Sequence, residues 1–304
     1  MKRGAMRLFA ALASCAWLAA WAAPAAAPEE SVPVVHVAVV GGLVLCGVWP
    51  ALAPMAEAAT GLRIELVSAA PKEGIVPAFA SGAADVLLIH GSDETFALQA
   101  QGLAAPLQAW AYNQHVIVGP AADPADVAHA RDGIDAVRRI KAADAPMIGF
   151  RDPGAFTIMQ HLWRSAGLRP GPKQQTYDDA EQPHAVLQSA SARGAYVVVG
   201  QIPVEFGRMP AGDLRVLLAG DPEMRRVYVA VEPGPRHPAD AVRRARAKRL
   251  VDYLLSARGQ ADLRAANRAA ATTEHPGPWI FPVLSADAPA APSSSSSSPS
   301  IPRS

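Results

Sequence analysis

Short runs of β-branched and aliphatic residues alternate along the chain with longer segments of helical periodicity. The first run, 34–40 (VVHVAVV), is apolar at almost every position, which predicts a strand buried on both faces. Gly41 and Gly42 end this strand, and 43–59 predicts a helix that two prolines interrupt near its start. Two further strands, with a short helix between them that ends at 78–81, are predicted at 62–68 and 85–90. A β-α-β-α-β order of this kind predicts a parallel, doubly wound unit.

The remainder of the chain continues the alternation. Strands are predicted at 115–119, 146–150, 195–199, 214–218 and 227–231. Helices are predicted at 134–142, 157–166, 185–193 and 239–256. The last helix has an apolar face, which consists of Val242, Leu250, Val251, Leu254 and Leu255. Its basic residues are interpreted as a solvated face: Arg243, Arg244, Arg246, Lys248 and Arg249.

The N-terminal residues have the pattern of an export signal. Three basic residues precede the apolar run 8–23, and the alanines at 25–27 form a small-residue cleavage site, so that 1–27 is removed and the mature chain begins at Pro28. A lipoprotein signal is the second interpretation, because Leu-Ala-Ser-Cys at 12–15 has the form of a lipobox. The apolar run before Cys15 is only about seven residues, short for such a signal. Both interpretations export the protein and predict a periplasmic location.

Composition narrows the class of protein. Of the 304 residues, 50% are hydrophobic and 18% are charged, which suffices for a buried core in one large domain or two lobes. The formal net charge is +1, and it becomes −2 when the three basic signal residues are removed, so nothing indicates nucleic-acid binding. Residues 285–304 are mostly Ala, Pro and Ser, which predicts a disordered tail.

Motifs of catalysis and metal binding are not found in the sequence. It has no Gly-x-Ser-x-Gly elbow, phosphate-binding loop or His-Glu-x-x-His motif, and its eight histidines lack metal-ligand spacing. We therefore predict no catalytic residues, no metal site and no cofactor. Cys46 is the one cysteine outside the signal, and its apolar neighbours favour a small buried side chain over a reactive thiol.

Junctions between strands and helices are the positive evidence for a ligand site. In open α/β sheets, ligands bind at the carboxyl ends of strands, near helix N-termini whose free N–H groups attract anions. Three junctions carry glycine or small polar residues: Gly41-Gly42, 68–72 (SAAPK) and 151–155 (RDPGA). Each is also compatible with an ordinary turn.

The sequence resembles the tungstate-binding family of periplasmic ABC-transporter proteins. The most specific blocks are 82–90 (GAADVLLIH) and 112–120 (YNQHVIVGP), the latter followed by Asp123-Pro124. Weaker blocks follow in the same order at 194–196, 217–222 and 255–260. The resemblance implies a type II periplasmic-binding-protein fold, which is α/β and two-lobed with a mixed, mainly parallel sheet in each lobe. Lobe 1 is then predicted to comprise 28–118 and 225–284, and lobe 2 to comprise 119–224.

The chain departs from this family in its ligand loops. The family binds a tetrahedral oxyanion with a Thr/Ser-rich loop after the first strand, where this chain has Gly41 and Gly42. The family's Ser-Arg-Gly-Asp-x-Ser-Gly-Thr loop corresponds to 149–156 (GFRDPGAF), and its Thr-Asp-Arg corresponds to 199–201 (VGQ). A buried dianion without these partners would cost several kcal/mol, so we predict that the ligand is not tungstate.

Two basic residues suggest another ligand. Lys72 and Arg151 are expected to face each other across the gap between the lobes, with Phe150 and Phe156 adding apolar surface. A small organic anion such as a carboxylate fits this combination, although both cations could instead point to solvent. The predicted ligand-binding set is Gly41, Gly42, Ser68, Lys72, His90, Arg151, Gly154 and Gln201.

The leading functional hypothesis is a monomeric solute-binding protein that delivers a small anion to an inner-membrane ABC permease. The second is a periplasmic sensor or interaction protein that retains the fold without transport. A periplasmic enzyme on the same fold is the third, but the sequence shows no nucleophile with a paired base.

Overall fold

The computed structural model describes residues 32–178, 182 and 185–283. The predicted signal at 1–27, with Cys15, and the predicted tail at 285–304 lie outside these residues. Among the described residues, no helix is long and apolar enough to cross a membrane.

Every predicted strand is present in the described chain. The first elements are β1 (Val34–Val40), α1 (Gly41–Leu45), α2 (Val48–Thr60), β2 (Arg63–Ala70), α3 (Lys72–Ala80), β3 (Val86–His90), α4 (Asp93–Ala100) and β4 (Gln108–Pro120). Then follow α5 (Gly133–Ala142), β5 (Met147–Gly149), α6 (Pro153–Ser165), β6 (Thr176–Tyr177), α7 (Val186–Arg193), β7 (Tyr196–Gly200), α8 (Gln201–Glu205) and β8 (Leu214–Leu218). The last are β9 (Arg225–Val231), α9 (Ala241–Leu255), α10 (Ala257–Ala270) and β10 (Ile280–Pro282). Of these, α4, α8, α10, β6 and β10 are additional elements that the sequence pattern does not predict.

The strands pair in the order β2-β1-β3-β9-β4-β7-β5-β6, and β8 and β10 both pair with β4. In the first part of the sheet, β1 is parallel to β2 and β3, and in the second part β5 is parallel to β6 and β7. Antiparallel β4 is shared by the two parts, because 108–114 pair with β9 whereas 115–118 pair with β7. This mixed sheet, with helices packed on its faces, confirms the predicted α/β class.

The core follows from the apolar runs. In the first part of the sheet, alternate residues of β1 pack against α2, α9 and α10 together with the buried indoles of Trp49, Trp110 and Trp279. In the second part, β5 and β7 are covered by α5 and α6 on one face and by α7 on the other. The buried thiol of Cys46 belongs to the first cluster, and burial raises its pKa to about 11, so it is a small buried side chain as predicted.

Two local predictions were wrong. The helix predicted at 43–59 is divided at Gly47, whose φ of 75° is left-handed, because Pro50 is tolerated in the first turn of α2. Ser68 does not lie in the loop after the second strand but inside β2, where it pairs with Ala38. A register shift skips Val67, which is why Leu66 and Val67 are both exposed although they are adjacent.

The N-terminal turn of α9 is anchored rather than solvated. Asp85 is fully buried and accepts hydrogen bonds from the backbone N–H of His36 (2.9 Å) and from Nε of Arg243 (2.6 Å). Arg244 donates to four backbone carbonyls of the preceding loop. The prediction of a wholly solvated basic face was therefore wrong at these two residues, and Val242, predicted on the apolar face, is 56% exposed.

Removing Arg243 should destabilise the fold, because it leaves the buried Asp85 carboxylate with only the backbone N–H and the imidazole of His36 as partners. For Arg243→Ala we expect a loss of roughly 3 kcal/mol, at the low end for a broken buried pair because the arginine is 28% exposed. Urea unfolding measures this loss. Lys248→Ala, which removes an exposed ion pair from the same helix, is the control and should leave the unfolding midpoint almost unchanged. Equal losses of unfolding free energy in the two variants would contradict the structural role given to the Arg243–Asp85 ion pair.

Candidate functional site

Two cavities open where α3, α4 and α6 begin and where β9 starts. Their volumes are about 410 and 230 Å³, and Lys72, Ser92, Pro153 and Arg226 line both of them. We call the larger one, which Phe96 lines, the outer cavity and the smaller one, which His90 lines, the inner cavity. The two together are the cleft. One wall comes from the first part of the sheet and the other from α6, so the cleft lies at carboxyl ends of parallel strands, where α/β folds bind ligands.

Arg226 is the central cation of the cleft. It lies on β9 opposite Asn113, and its guanidinium packs on Gly154, where a Cβ atom would stand only 2.5 Å from Nη1. Burial lowers the pKa of Arg226, and the charge of Asp152 opposes this shift. No residue in the described ranges forms a hydrogen bond or ion pair with its side chain. The planar fork of donors is therefore available to a ligand.

Lys72, the first residue of α3, is the second cation. Its Nζ donates to Oε1 of Glu94 at 2.5 Å, and this hydrogen bond is the main cause that lowers the pKa of Glu94 to about 2. Glu94 therefore stays ionised over the whole physiological pH range. A ligand anion must displace Glu94 from Lys72 or bind beside the pair.

His90 forms part of the inner cavity at the end of β3. Its ring stacks on Tyr228 with 4.3 Å between centroids, and its Nε2 lies 3.2 Å from Nδ2 of Asn113. Burial, followed by the charges of Arg226 and His115, lowers the pKa of His90 well below its ordinary value. The imidazole is thus a neutral, polar group at neutral pH.

Arg151 does not face Lys72, so that prediction was wrong. Its backbone N–H donates to Oδ1 of Asp178 and its Nη1 donates to the Asp178 carbonyl, both at 2.9 Å. The guanidinium lies over the ring of Tyr177, 5.4 Å from the centroid, and lines a separate cavity of about 370 Å³ with Phe156. These bonds hold Arg151 beside β6 and away from the cleft.

The region between α1 and α8, where the resemblance places an oxyanion, is filled by protein. A Cβ atom on Gly42 would lie 3.7 Å from Cδ1 of Ile202 and 3.7 Å from the Tyr228 hydroxyl. Ile202 is only 3% exposed and belongs to the core of the first part of the sheet. Gln201 accepts from Gln114 at 2.6 Å and donates to Glu205. Gly41 packs against the backbone of Ala70.

Three of the predicted site residues therefore line the cleft, namely Lys72, His90 and Gly154, whereas Gly41, Gly42, Ser68, Arg151 and Gln201 do not. Sequence analysis missed Arg226, Glu94, Asp152 and Phe96 as site residues. The strand predicted at 227–231 excludes Arg225 and Arg226, although β9 includes both residues.

Carboxylates outnumber cations in the lining of the cleft by four to three. Its cations are Lys72, Arg225 and Arg226, and its carboxylates are Glu73, Asp93, Glu94 and Asp152. Such a lining disfavours a multiply charged anion, because each additional negative charge meets fixed carboxylates. Within the described part of the chain, no three His, Cys, Asp or Glu side chains are grouped to hold a metal ion.

Comparison with solved structures identifies the architecture. The tungstate-binding protein of Desulfovibrio alaskensis matches 82% of this chain and 98% of its own, with 25% identity and a TM-score of 0.62. The tungstate ABC transporter protein of Geobacter sulfurreducens matches 76% of this chain and 98% of its own, with 23% identity and a TM-score of 0.60. The chain thus has a type II periplasmic-binding-protein fold, and its resemblance to tungstate-binding proteins is confirmed.

Sequence comparison gives a shorter match. A protein of Haloferax volcanii assigned to the anion-binding proteins of ABC transporters is 31% identical over 127 residues, which is 41% of this chain. The chain spans only 36% of that relative's length. No protein-family model matches the chain.

Protonation of buried His115, beneath Arg226, should weaken the fold in acid. Burial lowers the pKa of His115 to about 4, below the usual value of 6.5, so the unfolded chain takes up the proton first. The associated stability is present above pH 6.5 and is lost as the pH falls towards 4, a loss of about 3 kcal/mol. His115→Gln should remove this part of the pH dependence in urea unfolding at pH 7 and pH 4. His129→Gln, at an exposed site, should change the pH dependence of the unfolding free energy far less. If wild type and His115→Gln lost the same stability between pH 7 and pH 4, the role assigned to His115 would be contradicted.

Proposed function

We propose that this protein is a periplasmic solute-binding protein that captures a small anion in the cleft for ABC-type uptake. The observation that carries the proposal is Arg226, a largely buried guanidinium without a protein partner among the described residues, at a cavity between the two parts of the sheet. The two parts would be the predicted lobes, 28–118 with 225–284 and 119–224. An export signal at 1–27 would deliver the protein to the periplasm.

The comparisons support the coarse part of this proposal. One structural neighbour is a tungstate-binding protein and the other a tungstate ABC transporter protein, and the Haloferax relative is assigned as an anion-binding protein of ABC transporters. For this chain we infer an anionic ligand and a membrane permease as partner. We infer a binding protein rather than an enzyme, because one structural neighbour is a tungstate-binding protein and the sequence relative is assigned as an anion-binding protein.

Arg226→Gln should weaken binding of the physiological anion. Loss of one charge-assisted hydrogen bond costs about 1.5–3 kcal/mol, or roughly 10- to 150-fold in Kd. Native mass spectrometry of the protein purified from periplasm identifies bound cargo, and calorimetry then measures Kd. Arg193→Gln makes the same charge change on the exposed face of α7 and should leave Kd unchanged. An unchanged Kd in Arg226→Gln would contradict the site.

Tungstate and molybdate should bind weakly or not at all. The hydroxyl-bearing loop of the family is absent, and Ile202 occupies the space beside Gly42 where the oxyanion would lie. Calorimetry with either oxyanion tests this expectation. Submicromolar affinity would show that backbone N–H groups suffice for a bound dianion.

A sensor or interaction protein is the second candidate. The observation that favours it is the burial of Ile202 of α8 in the core of the first part of the sheet, which joins the two parts without any ligand. Transport predicts that the purified protein associates with an ABC permease, whereas sensing predicts association with a membrane kinase. Pull-down from solubilised inner membranes distinguishes the two.

A further inference from the structure

Asp152 presents an unused carboxylate oxygen beside Arg226. Its Oδ1 accepts from the N–H groups of Gly154 (3.0 Å) and Ala155 (3.1 Å), which fixes the carboxylate at the start of α6. In the described part of the chain, nothing hydrogen-bonds to Oδ2, and no ion pair joins Asp152 to Arg226, although both line the inner cavity. A cation and an anion therefore face the same space without neutralising each other.

The outer cavity adds an apolar wall. Phe96 on α4 is 61% exposed and lines this cavity with Ile158 of α6 and Val227 of β9. The volume of about 410 Å³ is in the range of sites that hold organic molecules, which begins at about 300 Å³. A bare tetrahedral oxyanion would leave this wall in contact with water.

We propose that the ligand is an organic acid with a hydrogen-bond donor on its α-carbon, an α-hydroxy or α-amino acid, and with an apolar side chain. The carboxylate binds Arg226, the α-hydroxyl or α-ammonium donates to Oδ2 of Asp152, and the side chain lies against Phe96, Ile158 and Val227. This inference rests on the proposed function, because it assigns the chemistry of the same cleft. A ligand with one negative charge and a donor suits this lining, in which four carboxylates stand against three cations.

Four probes test the assignment by calorimetry. Leucine and leucic acid share one carbon skeleton with isocaproate, which lacks the α-donor, and lactate keeps the α-hydroxyl but loses the apolar side chain. We expect leucine or leucic acid to bind at least about tenfold more tightly than isocaproate, because a hydrogen bond to a charged group is lost. Leucic acid should also bind more tightly than lactate, with a Kd lower by about fourfold for each additional carbon that is fully buried. The order of leucine and leucic acid distinguishes the ammonium from the hydroxyl.

Two variants locate the contacts. Asp152→Asn keeps the oxygen that caps α6, since Asn and Asp cap equally well, but it removes the charge. It should abolish the advantage of leucine or leucic acid over isocaproate and leave the melting temperature nearly unchanged. Phe96→Ser should reduce the advantage of leucic acid over lactate, whereas Val242→Ser, at a similarly exposed site outside the cleft, should not. If Asp152→Asn fails to fold, the ratio of the Kd values of leucine and isocaproate in the wild type still tests whether the ligand needs an α-donor.

The outcomes separate this inference from the proposed function. Equal binding of isocaproate and leucic acid would overturn the α-donor and leave an anion-binding cleft in place. Binding of tungstate or sulfate alone would overturn the organic ligand while the protein remained an anion-binding protein. No binding of any probe, together with empty protein from periplasm, would overturn both.

Discussion

The continuity of β4 joins the two parts of the sheet that form the walls of the cleft. This strand pairs with β9 along its first part and with β7 along its second, so a single backbone positions both parts of the sheet. Where the pairing of β4 changes from β9 to β7, the strand buries the polar side chains of Asn113, Gln114 and His115. Buried polar side chains are costly unless they are paired. Their hydrogen-bond partners therefore restrict the geometry in which β4 passes from one part of the sheet to the other. Asn113 contacts His90, Gln114 contacts Gln201, and the register sets Arg226 opposite Asn113.

The register of β4 and β9 makes Arg226 a partly desolvated cation. Asp152 and Glu94 lie close enough to stabilise its charge, but neither forms an ion pair with it. A buried cation without a partner costs free energy that a bound carboxylate can recover, which favours ligand binding at this residue. The same two carboxylates repel a second negative charge on the ligand. The electrostatics of the cleft therefore favour a ligand with a single negative charge over an oxyanion with two.

The sequence predicts the fold well and the site only in part. β1 and β8 have the predicted bounds, because short β-branched runs between turn residues are distinctive. The helix α10 was missed, since its alternation of Ala with polar residues is weak. At the site, local patterns identified Lys72, His90 and Gly154 but not Arg226. Nor could they reveal that Asp178, 27 residues along the chain, binds Arg151, because such contacts depend on the paired strands β5 and β6.

Ile202 of α8 packs beside Gly42 of α1. A Cβ atom on Gly42 would lie at ordinary van der Waals distance, 3.7 Å, from Cδ1 of Ile202 and from the Tyr228 hydroxyl. Burial of Ile202 contributes about 1.5–3 kcal/mol, so the two parts of the sheet gain a contact that an oxyanion would supply in a hydroxyl-lined site. The cleft lies where α3, α4 and α6 begin. Because protein contacts already hold the walls of this cleft, a ligand there need not spend binding energy on bringing them together, which raises affinity through preorganisation.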